Sequence, residues 1–397
     1  MSVTTSPATV DRRARAAVAA LFLTNGALFA NLIPRYPQIK AELGLGNAAY
    51  GLAVAAFPTG AIVAGLGAAW AIRRLGSARA AVLGTLVTAL GVCAAAVAPT
   101  VGLLMAALFL AGAMDAITDV AQNAHGLRVQ RRYGRSIINS FHAVWSIGAV
   151  IGGSMAAGAI ALDVPRGVHL AVSGALFSVV ALVALRFCLP GTDGDDDATA
   201  GPGQHGDRVG ASRGRIVLVL AALVLIATAG TLVEDSGNSW AAIYLSGSLG
   251  AAAAVAATGY IALTGAQFIG RLLGDRLVDR FGQRAVARTG GVLVALGMGS
   301  ALAFPSVPGT VAGFAVAGFG VATLVPAAMH EADELPGLKP GTGLTVVSWL
   351  MRLGFLASPP LVGLVADASS VRVGLLVVPI AGLIVVLTAG VLQGRRR

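Results

Sequence analysis

The stretch VGLLMAALFLAGAMDAITDVAQNAHG, residues 101–126, decides the fold. It opens as an unbroken apolar run, and about 20 such residues in a helix span the ~30 Å hydrocarbon core of a bilayer. Asp115 and Asp119 interrupt the run. A spacing of four puts both carboxylates on one helix face, one turn apart. Gln122 and Asn123 carry the polar stripe a turn further, and Gly126 follows. On insertion scales an aspartate at the centre of a membrane helix costs at least ~2.5 kcal/mol. A segment that keeps two must compensate them by pairing, protonation or ligand binding. The stripe therefore reads as the wall of a water-filled path.

The rest of the chain has the same character. Of its 397 residues 56% are hydrophobic and 12% are charged, against about 25% charged in a soluble domain. Mean hydropathy is +0.81. Twelve apolar runs fall at 16–34, 48–72, 80–98, 101–125, 137–160, 168–189, 215–245, 251–274, 285–304, 308–329, 342–366 and 372–393. An all-α membrane protein with 12 transmembrane helices is expected. The 53 glycines suit helices that approach closely in lipid.

The net charge of +10 follows from topology and does not call for nucleic acid. With the N-terminus in the cytoplasm, nearly all arginines fall in cytoplasmic segments. The outer loops keep only Arg35, Lys40, Arg166 and Arg372, as the positive-inside rule requires. Both termini are thus expected in the cytoplasm, with the chain multi-pass in the cytoplasmic membrane. The first apolar run is too long for a cleavable signal and has no small-residue cleavage site behind it. Cys93 and Cys188 lie in apolar runs and imply no disulfide frame. No metal-ligand, nucleotide-binding or nucleophile–base pattern occurs, so no metal, cofactor or enzymatic activity is expected. Nothing in the pattern calls for a second subunit, and a monomer is expected.

Two halves are separated by GTDGDDDATAGPGQHGDRVGASRG, residues 191–214. This acidic, glycine-rich stretch lacks apolar periodicity and reads as a disordered cytoplasmic linker. The bundles are then 1–190 and 215–397. Gly76 matches Gly282, Gly112 matches Gly318, and Gly148 matches Gly354, each pair 206 residues apart. Three matches in order indicate a duplicated six-helix unit.

The segment GRLLGDRLVDRFGQR, residues 270–284, resembles the cytoplasmic loop signature of the major facilitator superfamily. That resemblance implies two pseudo-symmetric six-helix bundles around a central cavity. Its acids, interleaved with arginines, suit a gating latch made of Gly274, Asp275, Arg276, Asp279, Arg280 and Arg284. In the first half Ala69 and Arg73 stand where Asp275 and Asp279 do, so no second latch is expected there. MDAITDVAQNAHG (114–126), GRSIINSFHAVWSIGAVIGG (134–153) and VEDSGNSWAAIYL (233–245) resemble the fucose:proton symporter-like branch, and more closely its YbjJ-type inner-membrane members. Aligned on Asn123, the proton-coupling acid of fucose-type symporters falls on Asp119. The position of a second acid, in the first span, is Ala30 here.

Asp119, Asp115 and Glu234 are the candidate proton-coupling groups, because intramembrane acids are functional by default. Asp115 lies one turn nearer the outer face, where water can reach it, and a proton-coupling role and a merely wet position stand equally open for it. Glu234 and Asp235 precede Ser236, Gly237, Asn238, Ser239 and Trp240. This small, polar run suits a broken helix lining a cavity, with Trp240 either capping the path or in an aromatic belt. Arg352 lies mid-span in the eleventh run. It is expected to point inward, to pair with Glu234 or Asp119, or to hold an anionic solute. Asn139, His142 and Trp145 share a face of the fifth run. They complete the candidate binding set with Asn25, Asn31, Asn123, Asn238 and Gln267, although asparagine in lipid also serves as interhelical glue. His330, Glu331, Asp333 and Glu334 read as a solvated helix end. The expected function is secondary active transport of a small organic solute by alternating access, coupled to protons. Proton-antiport export of drugs or metabolites would use the same residues in reverse order. A non-transporting receptor would not need titratable groups at the midplane.

Overall fold

The computed structural model describes residues 7–133, 137–191, 213–338 and 341–394. The residues read as a linker, 191–214, lie almost wholly outside these. In chain order the helices are α1 (Pro7–Ala30), α2 (Tyr36–Glu42), α3 (Asn47–Val54), α4 (Ala56–Gly65), α5 (Ala68–Leu75), α6 (Ser77–Ala96), α7 (Val101–Tyr133), α8 (Ile138–Ala161) and α9 (Arg166–Leu185). The second half adds α10 (Arg213–Ile243), α11 (Ala253–Phe281), α12 (Gln283–Ala303), α13 (Val307–Val321), α14 (Leu324–Asp333), α15 (Thr342–Leu350), α16 (Arg352–Ala368), α17 (Val371–Gly374) and α18 (Val377–Thr388). Among the described residues there is no strand. Twelve helical stretches are long and apolar enough to cross a membrane, and the chain is a multi-pass membrane protein.

The helices form two compact units. One holds Met1–Arg35 and Ala56–Pro202; the other holds Tyr36–Ala55 and Gly203–Arg397. The division is therefore not simply sequential, because α2 and α3 pack within the second unit.

In the first unit α1 packs on α8, α7 receives α4 and α6, and α9 lies against α6 and α1. Much of the interior is alanine: Ala80, Ala81, Ala121, Ala181 and Ala184 cluster around Leu21. Such small side chains let helices come together where apolar burial against lipid gives little drive. The second unit repeats the plan: α10 packs on α16, α13 receives α11 and α12, and α18 lies against α12 and α10. Equivalent helices even begin 206 residues apart: Ser77 and Gln283, Val101 and Val307. Each unit buries the same glycine contact. A Cβ at Gly112 would run into the carbonyl oxygen of Phe57, and one at Gly318 into that of Leu263. Gly76 and Gly282 end α5 and α11 at φ 78° and 83°, a conformation that disfavours a Cβ. Arg166 Nε donates to the Ala96 carbonyl at the end of α6. Arg372 Nε donates to Leu302 O at 2.6 Å near the end of α12. Both guanidinium groups complement the negative end of a helix.

One expectation needs correction. The seventh span is not broken at its polar run: α10 stays helical from Arg213 to Ile243. Ser236 Oγ donates to Leu232 O at 2.8 Å, one turn back, and the leucine of α11 at 263 fills the space beside Gly237. The polar residues are thus satisfied without unwinding. The eleventh span, Thr342–Ala368, runs through α15 and α16 with only Met351 between them, and Arg352 lies near its middle, as expected.

Candidate functional site

In the first unit the long helix α7 displays Asp115, Asp119, Gln122 and Asn123, and α1 and α8 supply donors to that face. Two matched relays result. Trp145 Nε1 on α8 donates to Asn25 Oδ1 at 2.8 Å, and Asn25 Nδ2 on α1 donates to Asp115 Oδ1 at 2.7 Å. One turn along, His142 Nε2 donates to Asn123 Oδ1 at 3.1 Å, and Asn123 Nδ2 donates to Asp119 Oδ1 at 3.1 Å. Each relay runs from an aromatic N–H through an amide to a carboxylate. Gln122 joins them, because its Nε2 reaches Asn25 Oδ1 at 3.4 Å and Asp119 Oδ1 at 3.5 Å.

The two carboxylates differ in exposure. Asp119 and His142 are exposed, Asp115 and Trp145 are half-buried, and Gln122 is fully buried. The Asp115 turn is covered because Asn25 and Trp145 both reach it or its partner amide. Asn31 stands apart: it donates to Ala27 O at 2.8 Å and meets His169 Nε2 at 2.9 Å, fully buried. It ties helices together and does not join the accessible face. The side chain of Asn139 lies outside the described residues.

In the second unit Gln267 Nε2 donates to Glu234 Oε2 at 2.8 Å, and Arg271 Nη2 lies 3.8 Å from the same oxygen. The expected pairing of Glu234 with Arg352 is therefore replaced by Arg271, a turn beyond Gln267 on α11. Arg352 is half-buried, with no carboxylate in ion-pair range among the described residues. Asn238 is half-buried. Trp240 is fully buried, with its ring edge-on to Tyr50 at 5.1 Å, which removes it from any aromatic belt. Asp235 is buried beside Ser239, whose Oγ donates to it at 3.4 Å. Its surroundings are hydroxyl-rich, with Ser236 and Ser358 in mutual contact at 3.1 Å.

In the loop signature, Gly274 is buried against Thr323, whereas Asp275, Arg276, Asp279 and Arg280 are exposed. Neither acid has an ion pair among the described residues. Arg284 Nε donates to Leu392 O at 3.0 Å and so holds the C-terminal segment. Glu331 and Glu334 add to this tether by accepting from Gln393 N and Nε2, which makes the acidic helix end an anchor as well as a solvated face.

Sequence reasoning missed Gln122 as the bridge, Arg271 as the partner of Glu234, and Asp367. The Asp367 carboxylate accepts from the backbone N–H groups of Asn47 and Ala48 at 2.9 and 2.8 Å. The one available signal was negative: α3 starts after Gly46, which has no side chain with which to cap it.

Comparison with known proteins identifies this scaffold. The family model described as Major Facilitator Superfamily matches residues 18–233 and again 219–397. An uncharacterized transporter of Sinorhizobium fredii is 29% identical over 376 residues, covering 95% of this chain and 97% of its own. Membrane protein MosC of Rhizobium meliloti is 30% identical over 370 residues, covering 93% and 88%. Among solved structures, the nucleoside transporter NupG aligns with a TM-score of 0.71 at 13% identity, over 95% of this chain and 97% of that one. The E. coli fucose:proton symporter FucP aligns with a TM-score of 0.58 at 19% identity, over 95% and 97%. At such identities the structures share the fold alone. With a repeated six-helix plan in each half and the family's match running across both, the chain belongs to the major facilitator superfamily and is a transporter.

Proposed function

We propose that this transporter moves a small organic solute across the cytoplasmic membrane by alternating access, coupled to protons, with both termini in the cytoplasm. The observation that carries the reading is the pair of relays on α7. Two carboxylates one turn apart are held by amides and aromatic N–H groups from three helices. Amides donate to a carboxylate or a carboxylic acid alike and accept from a solute hydroxyl or ammonium. The network can therefore exchange a proton at Asp119, the exposed member, while Asn25, Asn123, His142 and Trp145 orient the solute. Glu234, with Gln267 and Arg271, forms a second charged cluster on the other unit. Asp275 and Asp279 are candidates to pair in the opposite gate state.

The test is solute-driven proton movement in proteoliposomes loaded with a pH dye, using sugars, amino acids, organic acids and cationic drugs. Wild type should give a flux with one class, and Asp119→Asn should lose it by about a hundredfold or more, the range for a positioned proton-transfer group. Solute flux without proton movement, unchanged in Asp119→Asn, would exclude proton coupling at this site.

A further inference from the structure

We propose that Asp235, Ser236, Ser239 and Ser358 form a binding site for one monovalent metal cation, sodium, inside the second unit. The site is separate from the α7 relays and does not depend on them. It begins with an uncompensated acid. Asp235 on α10 is 8% exposed. Among the described residues no lysine, arginine or histidine stands in ion-pair range of it. Its neighbour Glu234 is served differently, by Gln267 Nε2 at 2.8 Å and Arg271 Nη2 at 3.8 Å. A buried carboxylate is strongly unfavourable unless it meets a counter-charge, and holding a metal ion supplies one. A carboxylic acid, the other solution, has a single O–H and needs a single acceptor. Three serine oxygens gather here instead.

Ser239 Oγ lies 3.4 Å from Asp235 Oδ2. The Ser358 hydroxyl bonds the same carboxylate from α16, and Ser236 Oγ lies 3.1 Å from Ser358 Oγ. Ser236 sends its own proton to Leu232 O at 2.8 Å, so its lone pairs stay with the cluster. Separations of 3.1 and 3.4 Å are longer than the roughly 2.5–3.0 Å of an O–H···O bond. Oxygens held at about 2.4 Å from one cation, within the calcium range, stand about 3.4 Å apart at adjacent corners of an octahedron. Sodium has the size of calcium and half its charge, and one carboxylate balances one charge. The surroundings keep water from competing for the ion. Tyr50 Oη donates to Ser239 O at 2.6 Å, and its ring is edge-on to Trp240 at 5.1 Å and to Tyr36 at 5.8 Å. All three rings are almost wholly buried. At the residue after Ser358, α3 lies directly on α16: a Cβ on Gly51 would meet the Pro359 carbonyl. With ligands on both α10 and α16, the ion ties these two helices together.

The test is thermal unfolding of the full chain in detergent, with sodium chloride replacing choline chloride stepwise at constant ionic strength and pH. Sodium should raise the wild-type midpoint saturably, by about 2 °C or more once the site is filled, as linkage requires of a ligand held by the folded state alone. In Asp235→Asn and in Ser358→Ala that sodium response should shrink to less than about half. Each variant is compared with itself in choline, so a loss of its own stability does not enter the reading, and Ser358→Ala stands in if Asp235→Asn fails to fold. Asp119→Asn, on the other unit, should keep the response in full. A wild-type midpoint that ignores sodium would overturn the site, as would a full response in both Asp235→Asn and Ser358→Ala, or a response that disappears with Asp119. No sodium effect together with a higher midpoint in Asp235→Asn would mean that the carboxyl carries a proton and no metal. The measurement needs neither solute nor gradient, so its failure is distinct from failure of the flux assay.

Discussion

At the scale of single residues, Asn25 is the hub. It donates to Asp115 and accepts from Trp145 and Gln122, so three polar groups depend on one amide. Asn25→Leu keeps the volume and strips all three partners. Leaving buried or half-buried donors and acceptors unmet costs about 1–3 kcal/mol. Thermal unfolding in detergent should show that loss, and solute-driven flux should fall with it; an unchanged midpoint would mean that the network adds nothing to the fold. Cys188 lies beyond the end of α9, and burial pushes its thiol up to about 12. Because the thiolate is the reactive form, wild-type protein should label slowly at pH 7, and the rate should still be climbing at pH 10. A rate that levels off near pH 9, the behaviour of an unburied thiol, would contradict this. Part of the α7 site was legible because spacing within one helix fixes which residues share a face. The partners were not: Trp145 finds Asn25, and Arg271 finds Glu234, only through the approach of separate helices.

At the scale of elements, the glycines of the repeat carry the packing. Gly112 and Gly318 each face a carbonyl oxygen that a methyl group would displace. Gly112→Ala and Gly318→Ala should each destabilise by about 1–3 kcal/mol, as overpacking does. Gly102→Ala on the same α7 helix meets nothing within 4 Å and should be neutral or slightly stabilising. Equal thermal midpoints for Gly102→Ala and Gly112→Ala would remove the packing argument. The spans and their duplication could be read from sequence because a bilayer dictates length and composition together. The unbroken α10 could not, because its hydroxyls satisfy themselves on the preceding turn.

At the scale of the whole molecule, the chain order of the two halves conceals an exchange. Residues 36–55 belong in space with the second unit. Co-expressed fragments 1–202 and 203–397 should therefore co-purify, and Gly51→Leu in the first fragment should cut recovery several-fold through the clash with Pro359, the expected effect of overfilling a tight contact. Recovery equal to wild type would show that this segment does not hold the fragments together. The same contact has a dynamic consequence. Where α3 meets α16, peptide backbone lies on peptide backbone at Gly51 and Gly363, with no flexible side chain as a cushion. Dispersion falls away steeply, and a gap of 0.5–1 Å forfeits roughly a quarter to a half of it. Half-lifted positions have lost the attraction without yet admitting water. The α3–α16 contact should therefore be all-or-none, and a fluorescence trace of one molecule should jump between two levels without drifting through the space between them.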